Sequence, residues 1–135
     1  MDITIHPIGI IHTPFKNTYE TPFQGSESPD SIGKIEIFTE FIDGLEGLEK
    51  VEHIEIIFNL HLQNEYRLKV IPRGSNIPRG VFSTRAPCHP NFLGITAVKL
   101  ISIEGNILTV SGVDMLDNTP ILDIKPYMTR FLPND

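Results

Sequence analysis

The chain is poor in cysteine, has a long stretch without acidic residues, and contains no extended apolar run. Its single cysteine, Cys88, excludes an intramolecular disulfide, and no Cys/His cluster has the spacing of a zinc site. No segment approaches the ~18 consecutive apolar residues of a membrane-spanning helix. The opening MDITIHPIG lacks the basic, apolar and small-residue regions of a signal peptide, so the cytoplasm is the expected compartment and no membrane partner is expected. No Gly-x-Gly-x-x-Gly follows a strand pattern, which argues against a Rossmann cofactor site. No internal repeat is present.

What the chain does contain is a core's worth of apolar residues, punctuated throughout. Over 135 residues it is 40% apolar and 21% charged, the balance of one folded domain (residues 1–135) rather than a disordered chain. Its 11 prolines and 10 glycines are spread along the whole length. They exclude a long helical bundle and favour short elements joined by turns.

Strand-like alternation appears at 3–11, 33–38, 53–61, 66–71, 95–103 and 107–113, and Val81 and Phe82 start a further short strand. Glu104-Gly-Asn106 reads as a hairpin turn. Residues 41–51 predict one short helix, with Leu45, Leu48 and Val51 on one face. No helix separates successive strands, so the expected fold is an all-β barrel or sandwich of seven or eight short strands. The stretch from His12 to Ser31 is a 20-residue loop, a length that compact domains reserve for function.

Net charge is −6, which by itself disfavours a nucleic-acid binder. The distribution reverses that. From Tyr66 to Ile103 there is no Asp or Glu, while Arg67, Lys69, Arg73, Arg79, Arg85 and Lys99 all lie there. All 17 acids sit elsewhere. One positive surface on an acidic body suits an anionic ligand or a phosphate backbone. The plainer alternative is a set of cations solvating strand ends.

Two segments concentrate chemistry. Thr84-Arg-Ala-Pro-Cys-His-Pro-Asn91 mounts Arg85, Cys88, His89 and Asn91 on a backbone stiffened by two prolines. Arg85 suits an anion or a base, against an ordinary ion pair; Asn91 is equally a turn residue. Cys88 with His89 as base has the composition of a nucleophile pair, but neighbours in an extended loop point apart and no orienting group follows, so a structural thiol is favoured. His61 ends an apolar strand and either lines a pocket or caps the sheet. In Asp114-Met-Leu-Asp-Asn-Thr-Pro-Ile-Leu-Asp123, Asp114 and Asp117 follow a strand directly, where carboxylates accept hydrogen bonds from a ribose or another polar ligand. The oxygens lack the spacing of a calcium loop, so no metal is expected. Asp117-Asn-Thr-Pro also reads as a β-turn.

At these two segments the sequence resembles a known family. Gly80-Val-Phe-Ser-Thr-Arg-Ala-Pro and His-Pro-Asn-Phe-Leu-Gly-Ile-Thr are similar to G-x-F-[AS]-T-R-[AS]-P-x-R-P-N-P-[IL]-G. Asp114 to Tyr127 is similar to D-x-x-D-G-T-P-[VI]-L-D-I-K-P-Y. Pro7 to Lys16 and Gly44 to Glu49 fit as well. These are patterns of the TsaA-like, TrmO family of tRNA methyltransferases. The resemblance implies a small β-barrel that works as a homodimer. It also implies S-adenosylmethionine-dependent methylation of the N6 of threonylcarbamoyladenosine, the base beside the tRNA anticodon.

By position the resemblance puts cofactor contacts on Phe23, Gln24 and Gly25, on His61 and Leu62, on Arg85, and on Asp114, Met115, Leu116 and Asp117. Arg73, Arg79, His89 and Asn91 are the expected substrate contacts. The proton leaving the amine would go to Asp114, Asp117 or Tyr127. Three departures stand out: His89 replaces Arg, Phe92 replaces Pro and Asn118 replaces Gly. The last is tolerable because Asn also adopts positive φ. The chain ends without the C-terminal domain that many bacterial members carry, consistent with a short form or an altered substrate. The competing readings are a non-catalytic nucleotide- or effector-binding module and, more weakly, a metal-dependent hydrolase.

Overall fold

The computed structural model describes residues 1–17 and 30–128. Eight strands run in order: β1 (Gly9–His12), β2 (Ile32–Ile37), β3 (His53–Asn59), β4 (Lys69–Val70), β5 (Arg79–Gly80), β6 (Leu93–Glu104), β7 (Ile107–Ser111) and β8 (Thr119–Pro126). Six of them close into a barrel in the order β1-β2-β7-β6-β3-β8, and β4 with β5 forms a separate two-stranded ribbon. All pairings are antiparallel.

The two-residue period of each strand decides what fills the barrel. Ile35 and Ile37 of β2, Ile54, Ile56 and Phe58 of β3, and Leu108 and Val110 of β7 all point inward and are buried. With Ile11, Val98, Val113, Met115 and Ile121 they form one core. Six of these twelve are isoleucines and three are valines, so nine are β-branched, a side-chain type that fits a pleated surface well. Full burial of each isoleucine contributes about 1.5–3 kcal/mol.

So narrow a barrel leaves no room for a side chain at two contacts. A Cβ on Gly9 would run into the Glu36 carbonyl oxygen of β2. One on Gly94 would run into the ring of Phe58, its cross-strand partner.

Four expectations need correction, the first being the short strand expected from Val81 and Phe82, which is a 3-10 turn over Val81–Ser83 closed by the Thr84 N–H on the Val81 carbonyl. The first strand begins at Gly9 rather than residue 3, and residues 1–7 are exposed. Pro7 has no N–H with which to extend the ladder. The strand expected over 66–71 shrinks to Lys69–Val70, paired only with β5. The helix expected over 41–51 is two 3-10 segments, Thr39–Leu45 and Leu48–Lys50, separated at Gly47, whose φ of 87° is left-handed. Its apolar face nevertheless survives, with Leu45, Leu48 and Val51 packed against the core. The hairpin turn is as read, with Gly105 at φ 63°.

The antiparallel register sorts the connections by end. β1→β2, β3→β6 and β7→β8 leave from one end of the barrel. β2→β3, the Gly105 hairpin and both termini of the described barrel lie at the other.

Candidate functional site at one end of the barrel

The β1→β2, β3→β6 and β7→β8 connections share the mouth of the barrel, and hydrogen bonds tie the first to the last there. After β1, the Thr13 N–H donates to Asp117 Oδ1 at 2.9 Å, and the Thr13 hydroxyl donates to the Met115 carbonyl at 2.8 Å. Lys16 Nζ reaches Asp117 Oδ2 at 2.6 Å. In return the Asp117 N–H donates to the Phe15 carbonyl, and Asn118 N–H to that of Ile11. Just before β2, the Ser31 hydroxyl donates to the Val113 carbonyl. The hydrogen bond from Lys16 is the main cause holding the Asp117 carboxyl below its usual range. Burial opposes it, while the Thr13 N–H and the charges of Lys16 and His12 add to it.

Asp114 is half-buried at the start of the same loop, and its Oδ2 accepts the Thr96 hydroxyl at 3.2 Å. Thr96 is a buried polar residue on β6, so this bond joins the 112–118 loop to the strand that follows the proline-rich segment. Met115 is buried in the core, and Leu116 is half-buried. Asn118 closes the turn at φ 66°, a left-handed conformation that Gly and Asn adopt most readily.

The β3→β6 connection folds over the same end. Leu60 N–H donates to the Phe92 carbonyl, which sets the exposed His61 and Leu62 beside the end of the proline-rich segment. Residues 93–98 of β6 pair with β3 but extend beyond the β7 ladder, which starts at Lys99. Arg85 reaches into this stretch and donates to the Ile95 carbonyl at 2.8 Å. Arg85 and Asp114 are thus anchored on adjacent residues of one strand.

His89 Nε2 lies 3.0 Å from the Thr84 carbonyl, and its ring meets that of Phe82. Phe92 has φ 54° and donates its N–H to the His89 carbonyl at 3.1 Å. A proline fits neither requirement, so this turn has a backbone that R-P-N-P could not take.

Of the site residues expected from sequence, His61, Leu62, Arg85, Asn91 and Asp114 to Asp117 all lie on connections at this end. Arg73 is exposed on the β4→β5 connection and Arg79 on β5 itself, where it donates to the Ser83 carbonyl at 2.8 Å. Phe23, Gln24 and Gly25 lie outside the described residues. Tyr127 is not brought to the mouth. It follows β8 at the opposite end, a strand length of eight residues or roughly 26 Å away.

The sequence reading missed Thr13, Lys16 and Thr96 as site supports. A threonine at an inward position of an otherwise apolar strand was the available signal for Thr96. Among the described residues no group of three His, Cys, Asp or Glu side chains gathers to hold a metal ion. No helix among them is long and apolar enough to cross a membrane.

Asp114 and Arg85, held on adjacent residues of β6, offer a carboxylate acceptor and a guanidinium donor to a polar ligand. Comparison with known proteins points the same way. Residues 10–131 match the tRNA-methyltransferase O N-terminal domain family. A Pyrococcus abyssi protein named a probable S-adenosyl-L-methionine-binding protein is 46% identical over 96% of this chain and 70% of its own length. A Mus musculus protein named tRNA (adenine(37)-N6)-methyltransferase is 39% identical over 96% of this chain and 32% of its own. The crystal structure of TrmO from Pseudomonas aeruginosa superposes with a TM-score of 0.79 at 36% identity. It covers 95% of this chain, which spans 57% of that longer one.

Proposed function

This chain belongs to the tRNA-methyltransferase O N-terminal domain family, and from that premise we propose that it methylates the N6 of adenine 37 in tRNA, as the name of the mouse relative describes. The base we assign is threonylcarbamoyladenosine, and the methyl donor is S-adenosylmethionine. The observation that carries the reading is that Arg85 and Asp114 are held on the adjacent residues Ile95 and Thr96 at the end shared by the β1→β2, β3→β6 and β7→β8 connections.

When bound, adenosylmethionine supplies a methyl carbon activated by its sulfonium leaving group. The protein's own tasks are then alignment and proton removal. Of the three candidate proton acceptors we assign the role to Asp114. Asp117 is held as a carboxylate by Lys16 and Thr13 and is a correspondingly weak base. Tyr127 stands at the other end of its own chain. Thr96 fixes the Asp114 carboxylate, Arg85 orients an anionic or aromatic group, and Asp117 holds the loop in shape.

The active species we propose is a cytoplasmic homodimer, supported by the exposed apolar side chains of Leu62, Tyr66, Leu68, Ile77 and Phe82 on the β3→β6 connection. Arg73, Arg79, His89 and Asn91 are assigned to tRNA.

Calorimetric titration with adenosylmethionine tests the site. Arg85→Ala and Asp114→Asn should each weaken binding or turnover at least tenfold, and unchanged behaviour in both removes the assignment. A second reading, a binding module without turnover, draws on the Phe92 turn and on the Pyrococcus relative, named only for binding. Mass spectrometry of tRNA nucleosides after incubation with labelled adenosylmethionine separates the two. Methyl on threonylcarbamoyladenosine means enzyme; bound cofactor with no methylated nucleoside means binder.

A further inference from the structure

The connection between β3 and β6 carries an open cleft of about 540 Å³, lined by Arg67, Lys69, Val70, Ile71, Pro78, Ala86 and Cys88. A second cleft of about 320 Å³ shares Arg67 and Cys88 with it and continues past Pro87 to Gln63, Asn64 and Glu65. The two clefts adjoin at Arg67 and Cys88, and the first forms a groove by itself. Its size is in the range that holds a small ligand or one unit of a polymer.

Tyr66 and Leu68 flank Arg67 in sequence but line neither cleft, and they are 57% and 59% exposed. The connection therefore divides its chemistry. One part presents apolar side chains suited to another protein surface, and the other presents two cations against an apolar wall.

The groove's lining from Arg67 onward belongs to the stretch without a carboxylate, and Glu65 marks where the positive track stops. Arg79 and Arg85 each commit a guanidinium N–H to a backbone carbonyl, of Ser83 and Ile95. Arg67 and Lys69 make the groove itself cationic. An adjacent apolar wall of Ile71, Pro78 and Ala86 can take the face of an unstacked base, whereas a duplex presents only its backbone.

We propose that this groove holds a single-stranded ribonucleotide of the tRNA next to the base being modified, with phosphate oxygens on Arg67 and Lys69 and the base against Ile71, Pro78 and Ala86. The proposal rests on the tRNA reading above and adds to it a binding subsite distinct from Arg73, Arg79, His89 and Asn91.

The test uses the full chain and an anticodon stem-loop RNA. The double variant Arg67→Ala/Lys69→Ala should bind this RNA about tenfold more weakly at physiological salt. The slope of log affinity against log salt should fall by about 1.4, the value for two lost contacts to single-stranded phosphates. Adenosylmethionine affinity should be retained, which shows that the variant is folded. Cys88, the chain's one cysteine, gives a local footprint: bound RNA should slow its alkylation by a small thiol reagent.

Unchanged RNA affinity and salt slope in the double variant overturn the proposal, as does alkylation indifferent to RNA. If the variant instead alters sedimentation while RNA binding is untouched, the groove is a protein contact and the proposal falls. RNA held through Arg67 and Lys69 with no methyl transferred to any tRNA upholds the groove and defeats the methyltransferase reading, so the two failures are distinguishable.

Discussion

The Asp117 carboxylate binds the N–H of Thr13, 104 residues away in sequence, as well as the ammonium of Lys16. A single side chain thereby fixes the entry to the long first loop against the β7→β8 loop. Asp117→Asn keeps the shape and removes the charge, and it should cost about 1–2 kcal/mol at neutral pH. Because the folded carboxyl titrates below its ordinary value of 3.8, this stabilisation is fully present above that pH and is lost as pH falls through the folded pKa. Denaturant midpoints of wild type and variant, measured from pH 7 downwards, should converge in strong acid; a constant gap would contradict the ion pair.

Glycines give a second test at this scale. Gly94→Ala must displace the Phe58 ring and should lower stability by about 1–3 kcal/mol. Gly80 has an ordinary φ of −62° and open space where a Cβ would stand. Gly80→Ala should therefore be neutral to within about 0.5 kcal/mol, both variants being read from denaturant midpoints.

Two turns carry the elements' most demanding backbone. Asn118 and Phe92 both have positive φ, and they differ in how naturally their residue type accepts it. Asn118→Gly should leave stability nearly unchanged, whereas Asn118→Ala should cost about 1 kcal/mol. At the other turn, Phe92→Pro cannot reach φ 54° and deletes the N–H given to His89. It should cost about 1–3 kcal/mol, although the family pattern carries proline there. Urea denaturation of the three variants checks this; a tolerated Phe92→Pro would mean that the turn adopts the ordinary family backbone.

Element boundaries were legible where period-two burial ran uninterrupted, as in β2, β3 and β7. They were misjudged at residues 3–8 and 66–68, where alternating sequence has no strand ladder, and only Lys69–Val70 of the second stretch finds one, in β5. Alternation records which side chains prefer burial; a ladder also needs a partner.

For the molecule as a whole, the closed barrel leaves its apolar excess outside, on the β3→β6 connection. If that surface joins two copies, Leu68→Glu should shift sedimentation from dimer to monomer. A monomeric wild type would remove the dimer from the proposed function. The same closure explains how so small a domain supports a site. Antiparallel neighbours reverse direction at each step, so the β1→β2, β3→β6 and β7→β8 connections, which carry the candidate residues, emerge at the same end. The candidate residues were legible one by one as Arg85, Asp114 and Asp117, but their grouping was not. It depends on the order β1-β2-β7-β6-β3-β8, which no local pattern encodes.

The sequence by itself determined the all-β class, the inward-facing isoleucines and valines, the hairpin at Gly105 and the family resemblance, because each follows from local periodicity, turn chemistry or motif. Only the tertiary structure decided that Thr96 holds Asp114, that Lys16 occupies Asp117, and that Tyr127 stands a strand's length from both. Those relations come from barrel closure and register, which bring distant segments within hydrogen-bonding reach through the burial of the whole core at once.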